Sequence, residues 1–283
     1  MQPKLSCPLR LHELSSDTIA TLNQLCVDGL IQPSYLKSKL PEINIIDFIN
    51  IDSTNKFLKM QPLQHIPTLC YSETQTMGKG RLGRAWNSPF GQNLYFSLSW
   101  TFACNIQKLQ GLSLCVGLAV AQALEEYSGL STFKVKWPND IVQGTDKLAG
   151  ILIEIAASSH YQTQVIIGIG LNVNSVPQDM NPLQRTWSSL QKITGNIHIR
   201  QDVLVKVIQK LRMYLSQFAQ QGWISFMEEW KTKDALYLQK IKIQQHQGLL
   251  EGVAMGVDNQ ARLILKEDLH TRLVDVGDAT LSI

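Results

Sequence analysis

The chain has 283 residues, 44% of them hydrophobic and 17% charged, and a formal net charge of +3. That length suits one large domain with a small one beside it, and the mix excludes a disordered or fibrous chain. The weak charge excludes a broadly cationic nucleic-acid binder but leaves room for a local basic loop that holds phosphates. Five cysteines, Cys7, Cys26, Cys70, Cys104 and Cys115, are scattered and form no Cys-x-x-Cys pair, so neither a disulfide framework nor a zinc site is expected. The amino terminus lacks a charged start followed by an apolar run, and no apolar stretch reaches the ~18 residues of a membrane span. A cytoplasmic setting with reduced thiols is therefore expected.

In chain order, Ser16 and Asp17 are placed to cap a helix from about Thr18 to Asp28, with Ile19, Leu22 and Leu25 at helical spacing. Ser34 to Lys37 suggests a second short turn. The isoleucine-rich segment Ile43 to Ile51 suits a strand, and Asp52-Ser53-Thr54-Asn55 offers caps for a helix beginning near Lys56. Further strands are expected at Pro67 to Ser72, Leu94 to Phe102, Lys134 to Trp137 (stopped by Pro138), Leu148 to Ala156 and Gln164 to Val173. Helices are expected at Gln110 to Tyr127 and Asp202 to Gly222, with further helical turns over Ile224 to Lys233. Beyond a boundary near Tyr237 the texture changes to short strands at Ile241–Ile243, Leu249–Met255, Ala261–Lys266 and Thr271–Val274, punctuated by glycines, which suggests a small SH3-like barrel.

Four segments carry chemistry. In Gly78-Lys79-Gly80-Arg81-Leu82-Gly83-Arg84-Ala85-Trp86, three glycines permit close backbone approach and three cations suit an anion, with Trp86 as an apolar anchor; a flexible, solvated basic loop is the alternative. Neither a P-loop nor a dinucleotide fingerprint is present. In Lys136-Trp137-Pro138-Asn139-Asp140, a carboxylate and an amide at a strand end can ligate Mg²⁺ or orient water at a triphosphate, or simply form a turn. Lys147, ahead of the apolar strand Leu148 to Glu154, can stabilise charge on a reacting carboxylate or phosphoryl group, or be a surface lysine. The glycines of Gly168-Ile169-Gly170-Leu171-Asn172 mark a bulge or a close approach, with Asn172 able to reach an adenine edge.

In their order and spacing these segments resemble the biotin protein ligase family from about residue 43 onward, most strongly over 50 to 175. The resemblance implies an α+β fold: a class II synthetase-like catalytic domain, with a mixed β-sheet and helices on one side, followed by the SH3-like β-barrel. It implies a division into 1–40, 41–236 and 237–283. Position by position, it implies that Ser53, Thr54, Asn55 and Gln75 hold the biotin ring system, and that Gly78, Lys79, Gly80 and Arg81 close over biotin and the adenylate phosphate. Lys147 matches the lysine that contacts carboxylate and phosphate, and Gly150 lies where the biotin tail passes. Arg84, Asn139 and Asp140 fall on the ATP side, Asp140 as the Mg²⁺ ligand, with Asn172 and Trp187 beside adenine. Arg81 and Lys147 are the implied catalytic pair. Lys79 stands where the family carries arginine; it keeps the charge but loses the bidentate fork, so its backbone is expected to matter more than its side chain.

The implied reaction forms biotinyl-5′-AMP from biotin and Mg·ATP, then transfers biotin to a lysine of the biotin carboxyl carrier protein of acetyl-CoA carboxylase. The implied state is monomer or homodimer. Two rivals are weighed: a lipoate or octanoate ligase of the same superfamily, which usually lacks the 78–86 and 136–140 segments, and a biotin-sensing DNA-binding repressor. The ~40 residues ahead of the first catalytic strand show no helix-turn-helix with a cationic recognition helix, so a helical lead-in without nucleic-acid binding is expected.

Overall fold

A computed structural model describes residues 8–176, 186–245, 248–268, 270–275 and 277–281. Helix α1 spans Ser16–Leu25; Ser15 caps it by accepting a hydrogen bond from the Thr18 amide, one residue ahead of the expected caps. The helix stops three residues short of Asp28 because Cys26 turns to extended backbone, and the Asn23 carboxamide then accepts from the Leu30 amide. Helix α2 (Pro33–Lys39) opens on a proline, which supplies the helical φ without the loss of a needed donor.

Seven strands form the large sheet: β1 (Asn44–Ile51), β2 (Thr68–Gln75), β3 (Leu94–Phe102), β4 (Phe133–Lys136), β5 (Asp140–Gln143), β6 (Asp146–Ser158) and β7 (Thr163–Leu171), in the order β1-β2-β3-β7-β6-β5-β4. Only β1 and β2 are parallel; the other pairs are antiparallel, so the sheet is mixed as expected. Strand β5 was not expected. Pro138 does end β4, but the chain turns back at once, pairing Lys136 with Asp140, with the Asn139 amide donating to the Lys136 carbonyl. The Lys136 to Asp140 segment is thus a hairpin turn, and the turn and site readings of it are compatible.

Alternation along the strands gives each face its role. On β7, Val165, Ile167, Ile169 and Leu171 join the main core with α4 (Leu112–Ser128) and α6 (Arg200–Gln221). The long helices lie on this face, and the short helix α3 (Thr54–Lys59) lies on the other, where Leu58 packs against Ile166, Cys70 and Phe48. Helix α5 (Leu190–Thr194), also not expected, is capped by Ser189 accepting from the Lys192 amide.

The lead-in is bound down. Leu22, Cys26 and Leu30 pack on Ile49 and Phe90, while Leu36 and Leu40 enter the main core. Beside them, fully buried Arg200 donates to the Asp28 carboxylate at 2.6 Å and to that of Glu73 at 2.5 Å, tying α6 and the lead-in to β2. Helix α7 (Met227–Lys233) leads to a second, antiparallel sheet of β8 (Lys240–Gln245), β9 (Gly248–Val257), β10 (Leu263–Lys266), β11 (Thr271–Val274) and β12 (Asp278–Leu281), in the order β11-β10-β9-β8-β12. It has one strand more than expected, β12. Trp137 and Trp223 anchor it, their indole N–H groups donating to the carbonyls of Ala261 and Asp258. Among the described residues no helix is long and apolar enough to cross a membrane.

Candidate active site

The four segments converge on one cavity of about 510 Å³ on the α3 face of the large sheet. Its lining includes every expected site residue but Gly78. Gly78 instead forms the base of the loop: a Cβ there would meet the Trp86 carbonyl at 3.0 Å, the Gln75 Nε2 at 3.1 Å and the Ser88 hydroxyl at 3.2 Å.

One end of the cavity is polar and buried. Ser53, Thr54 and Asn55 lie at the start of α3, which Ser53 caps. The Gln75 Oε1 accepts from the Thr54 amide at 2.9 Å, the Thr54 and Ser97 hydroxyls are 2.7 Å apart, and Ser97 donates to Asn55 Oδ1 at 2.6 Å. Asn55 Nδ2 donates to the Glu154 carboxylate at 3.0 Å, and Lys59 donates to its other oxygen at 2.9 Å. Burial works against ionisation of Glu154, but the hydrogen bonds from Lys59 and Asn55 outweigh it and hold the carboxyl below its usual range.

The middle is a glycine shelf. Gly150 of β6 pairs with Gly170 of β7, and both point to the cavity face. The Trp86 indole lies across them: a Cβ on Gly150 would meet Trp86 Cζ3 at 2.9 Å, and one on Gly170 would fall inside the ring. The β3–β7 register runs unbroken through Gly168 and Gly170, so these glycines serve close approach rather than a bulge. The Trp86 indole N–H is buried without a partner, so Trp86 is part of the cavity wall, beyond its expected role as an anchor.

The other end is charged. Lys147 Nζ lies 2.7 Å from Asp140 Oδ1 and 5.3 Å over the Trp86 ring. Arg81 reaches the Asn139 Oδ1 at 3.4 Å and the Gly277 carbonyl at 3.3 Å, while Asn139 Nδ2 donates to the Ile151 carbonyl at 2.8 Å. The Asn139 side chain is therefore committed to holding β6 and Arg81, while Asp140, paired with Lys147, lines the cavity. Asp278, from β12, pairs with Arg84 and lies 3.7 Å from Arg81. The loop itself is closed more tightly than an open nest of amides: Gly80 N donates to the Arg84 carbonyl at 2.7 Å and Trp86 N to that of Gly78 at 2.9 Å. The cations at this end of the cavity are thus the side chains of Arg81, Arg84 and Lys147, with Lys79 exposed on the loop's outer limb.

At the far wall, Asn172 Nδ2 donates to the Ser188 carbonyl at 3.0 Å and leaves a buried Oδ1 without a partner. A buried acceptor of this kind suits an exocyclic amine. Trp187 lines the cavity beside it, paired in a bridge with Lys147.

Residues 47–172 match the model of the biotin/lipoate A/B protein ligase family. The bifunctional ligase/repressor BirA of Salmonella typhimurium is 34% identical over 84% of this chain and 74% of its own length. The chain belongs to the biotin protein ligase family. The biotin ligase fold also shows in the biotin protein ligase of Aquifex aeolicus, solved in complex with biotin and ATP, which superposes with a TM-score of 0.71 at 30% identity over 84% of this chain and 98% of that one. The biotin–[acetyl-CoA-carboxylase] ligase of Mycobacterium tuberculosis is 27% identical over 73% of this chain and 76% of its own. Within this biotin ligase fold, the residues that sequence reasoning missed are Ser97, Glu154 and Asp278, whereas Gly168 and Gly170, expected to mark a bulge or a close approach, are sites of close approach to Asn55 and Trp86. Strand alternation from Gly150 carries a signal for Glu154. Nothing local marks Asp278.

Proposed function

We propose that this chain joins biotin to ATP as biotinyl-5′-AMP and then passes the biotinyl group to a carrier-protein lysine. The observation that carries the reading is the polarity of one continuous cavity, with a buried hydrogen-bonding end at Ser53, Thr54, Asn55 and Gln75 and a cationic end at Arg81 and Lys147, separated by the glycine shelf. Biotin fits this gradient, with its ureido ring at the polar end and its carboxylate at Lys147.

The carboxylate oxygen attacks the α-phosphorus of ATP, and the bond from that phosphorus to the pyrophosphate oxygen breaks. Arg81 and Lys147 lie where charge grows on the phosphate and carboxylate oxygens, fixed in place before reaction. The 78–86 loop covers the mixed anhydride and keeps water from it. The lysine amine then attacks the acyl carbon, AMP leaves, and the amine proton is lost to solvent. Asn172 and Trp187 take the adenine side. Among the described residues no cluster of three or more His, Cys, Asp or Glu is placed to hold a metal. A Mg²⁺ carried on the triphosphate needs few protein ligands, and Asp140 fits that role, where the ion would neutralise phosphate charge.

The acceptor we infer is the biotin carboxyl carrier protein of acetyl-CoA carboxylase. We retain the division into 1–40, 41–236 and 237–283, and a cytoplasmic setting. The cavity's described lining comes from one chain, and the reading is open to monomer and homodimer alike. A lipoyl or octanoyl head has no group to satisfy the buried polar end. Pyrophosphate release and carrier labelling, each measured with ATP, Mg²⁺ and either biotin or lipoate, test the proposal: turnover is expected with biotin, and turnover with lipoate alone sinks it.

A further inference from the structure

The hydrogen-bonded chain Glu154–Asn55–Ser97–Thr54, buried from Asn55 inward, has only one workable direction. Both hydrogens of the Asn55 amide go to groups that can only accept, the Leu152 carbonyl at 3.3 Å and the Glu154 carboxylate at 3.0 Å. A flipped amide would set Oδ1 against two acceptors. Oδ1 therefore faces Ser97, which must donate its one hydrogen to it. With that hydrogen committed, Thr54 must be the donor in the 2.7 Å pair of hydroxyls. Thr54 then has no hydrogen left for Gln75 Oε1, 3.2 Å away, which the Thr54 amide already satisfies. What remains on Thr54 Oγ1, in the cavity wall, is lone pairs.

We infer that Glu154 is a positioning residue for the biotin end of the site: through Asn55 and Ser97 it makes Thr54 an obligate acceptor, so that the pocket selects a ligand carrying an N–H at that point. The inference deepens the proposed function and rests on it. A urea N–H satisfies Thr54, whereas a dithiolane or an alkyl head leaves its lone pairs buried and unpaired, a mismatch that discriminates more strongly than shape alone. Gly168 makes the arrangement possible, since a Cβ there would fall inside the Asn55 carboxamide. Lys59, donating to the outer oxygen of Glu154, holds the carboxylate at the start of the chain.

Steady-state pyrophosphate release, with biotin and ATP varied in turn, tests this. Glu154→Ala should raise the KM for biotin by about tenfold or more, with the KM for ATP within about twofold of wild type. Glu154→Gln, which can still offer Asn55 a carbonyl, should recover most of the loss. In an Asn55→Ala background, Glu154→Ala should add less than about twofold, because the link that transmits its effect is gone. Should thermal melting show Glu154→Ala unfolded, Ser97→Ala breaks the next link and carries the same expectation for the two KM values. Wild-type protein that turns over biotin, beside a folded Glu154→Ala with an unchanged KM for biotin or equal losses for biotin and ATP, overturns the inference alone. Full additivity with Asn55→Ala overturns it too. Wild-type protein without biotin-dependent turnover overturns the parent reading and this one with it.

Discussion

At Gly170 the absence of one carbon shapes the site. The Trp86 indole occupies the space a Cβ would fill, and the neighbouring Gly150 repeats the arrangement one strand over. The two glycines therefore make room for an aromatic side chain rather than serving backbone conformation. Gly170→Ala should push Trp86 off the shelf and into the cavity. Because Trp86 is only partly buried it can swing away, so the fold should lose only about 1–2 kcal/mol. Adenylation should fall by about tenfold or more, since misplacement by an ångström is costly to a positioned reaction. Single-turnover formation of biotinyl-AMP, set beside thermal melting, separates the two effects; wild-type adenylation in a folded variant would show that the shelf is irrelevant to chemistry. Lys147 and Arg81 were legible in the sequence because charged residues stand out beside glycines and apolar strands. The glycine shelf was only half legible: Gly150 came with its motif, but the role of Gly170 depends on which residue of β7 lies opposite it.

Among elements, the 78–86 loop and β12 are joined by charge. The half-exposed Arg84 and the more enclosed Arg81 both approach Asp278, whose side chain is 9% exposed, so the second sheet holds the loop's cations beside the cavity. Asp278→Ala should free the loop. An ion pair with one partner half in solvent contributes little to stability, so melting should change by less than about 1 kcal/mol, while trypsin should cut after Arg81 and Arg84 several-fold faster. Cleavage at the wild-type rate would mean that the loop's own hydrogen bonds, Gly80 to Arg84 and Trp86 to Gly78, suffice to hold it. This coupling was not readable in the sequence. Long strands with clear alternation, such as Leu94–Phe102, were legible to the residue, and so was Thr271–Val274. Strands β5 and β12 have four residues each and lie directly behind turn-forming residues, so their identity comes from pairing with β4, β6 and β8 rather than from local pattern.

Across the whole molecule, the two sheets share one apolar core through Trp223, Phe226, Trp230 and Leu236, and the chain passes between them at Asp234. The Asp234 amide donates to the Trp230 carbonyl, the next amide donates to Val135 of β4, and the Asp234 Oδ1 accepts from the Leu236 amide at 2.8 Å. Its other oxygen is buried. Burial raises the Asp234 carboxyl to about 6, against the backbone donors and the Trp230 indole that favour its charge. A carboxyl whose pKa is higher in the folded state contributes stability that is present below its unfolded value of 3.8 and is lost as pH rises through about 6. The junction is therefore strained at neutral pH by an ionised, largely buried group, a penalty on the order of 1–3 kcal/mol. Asp234→Asn keeps the acceptor for Leu236 and removes the charge. Its melting temperature should match that of wild type near pH 4 and exceed it by several degrees at pH 7.5, with the gap opening between those values. The gain should appear in a single transition, because a core shared by both sheets makes them unfold together. A gap independent of pH would place the cost elsewhere than the Asp234 charge, and two separate transitions would show that the junction does not couple the sheets.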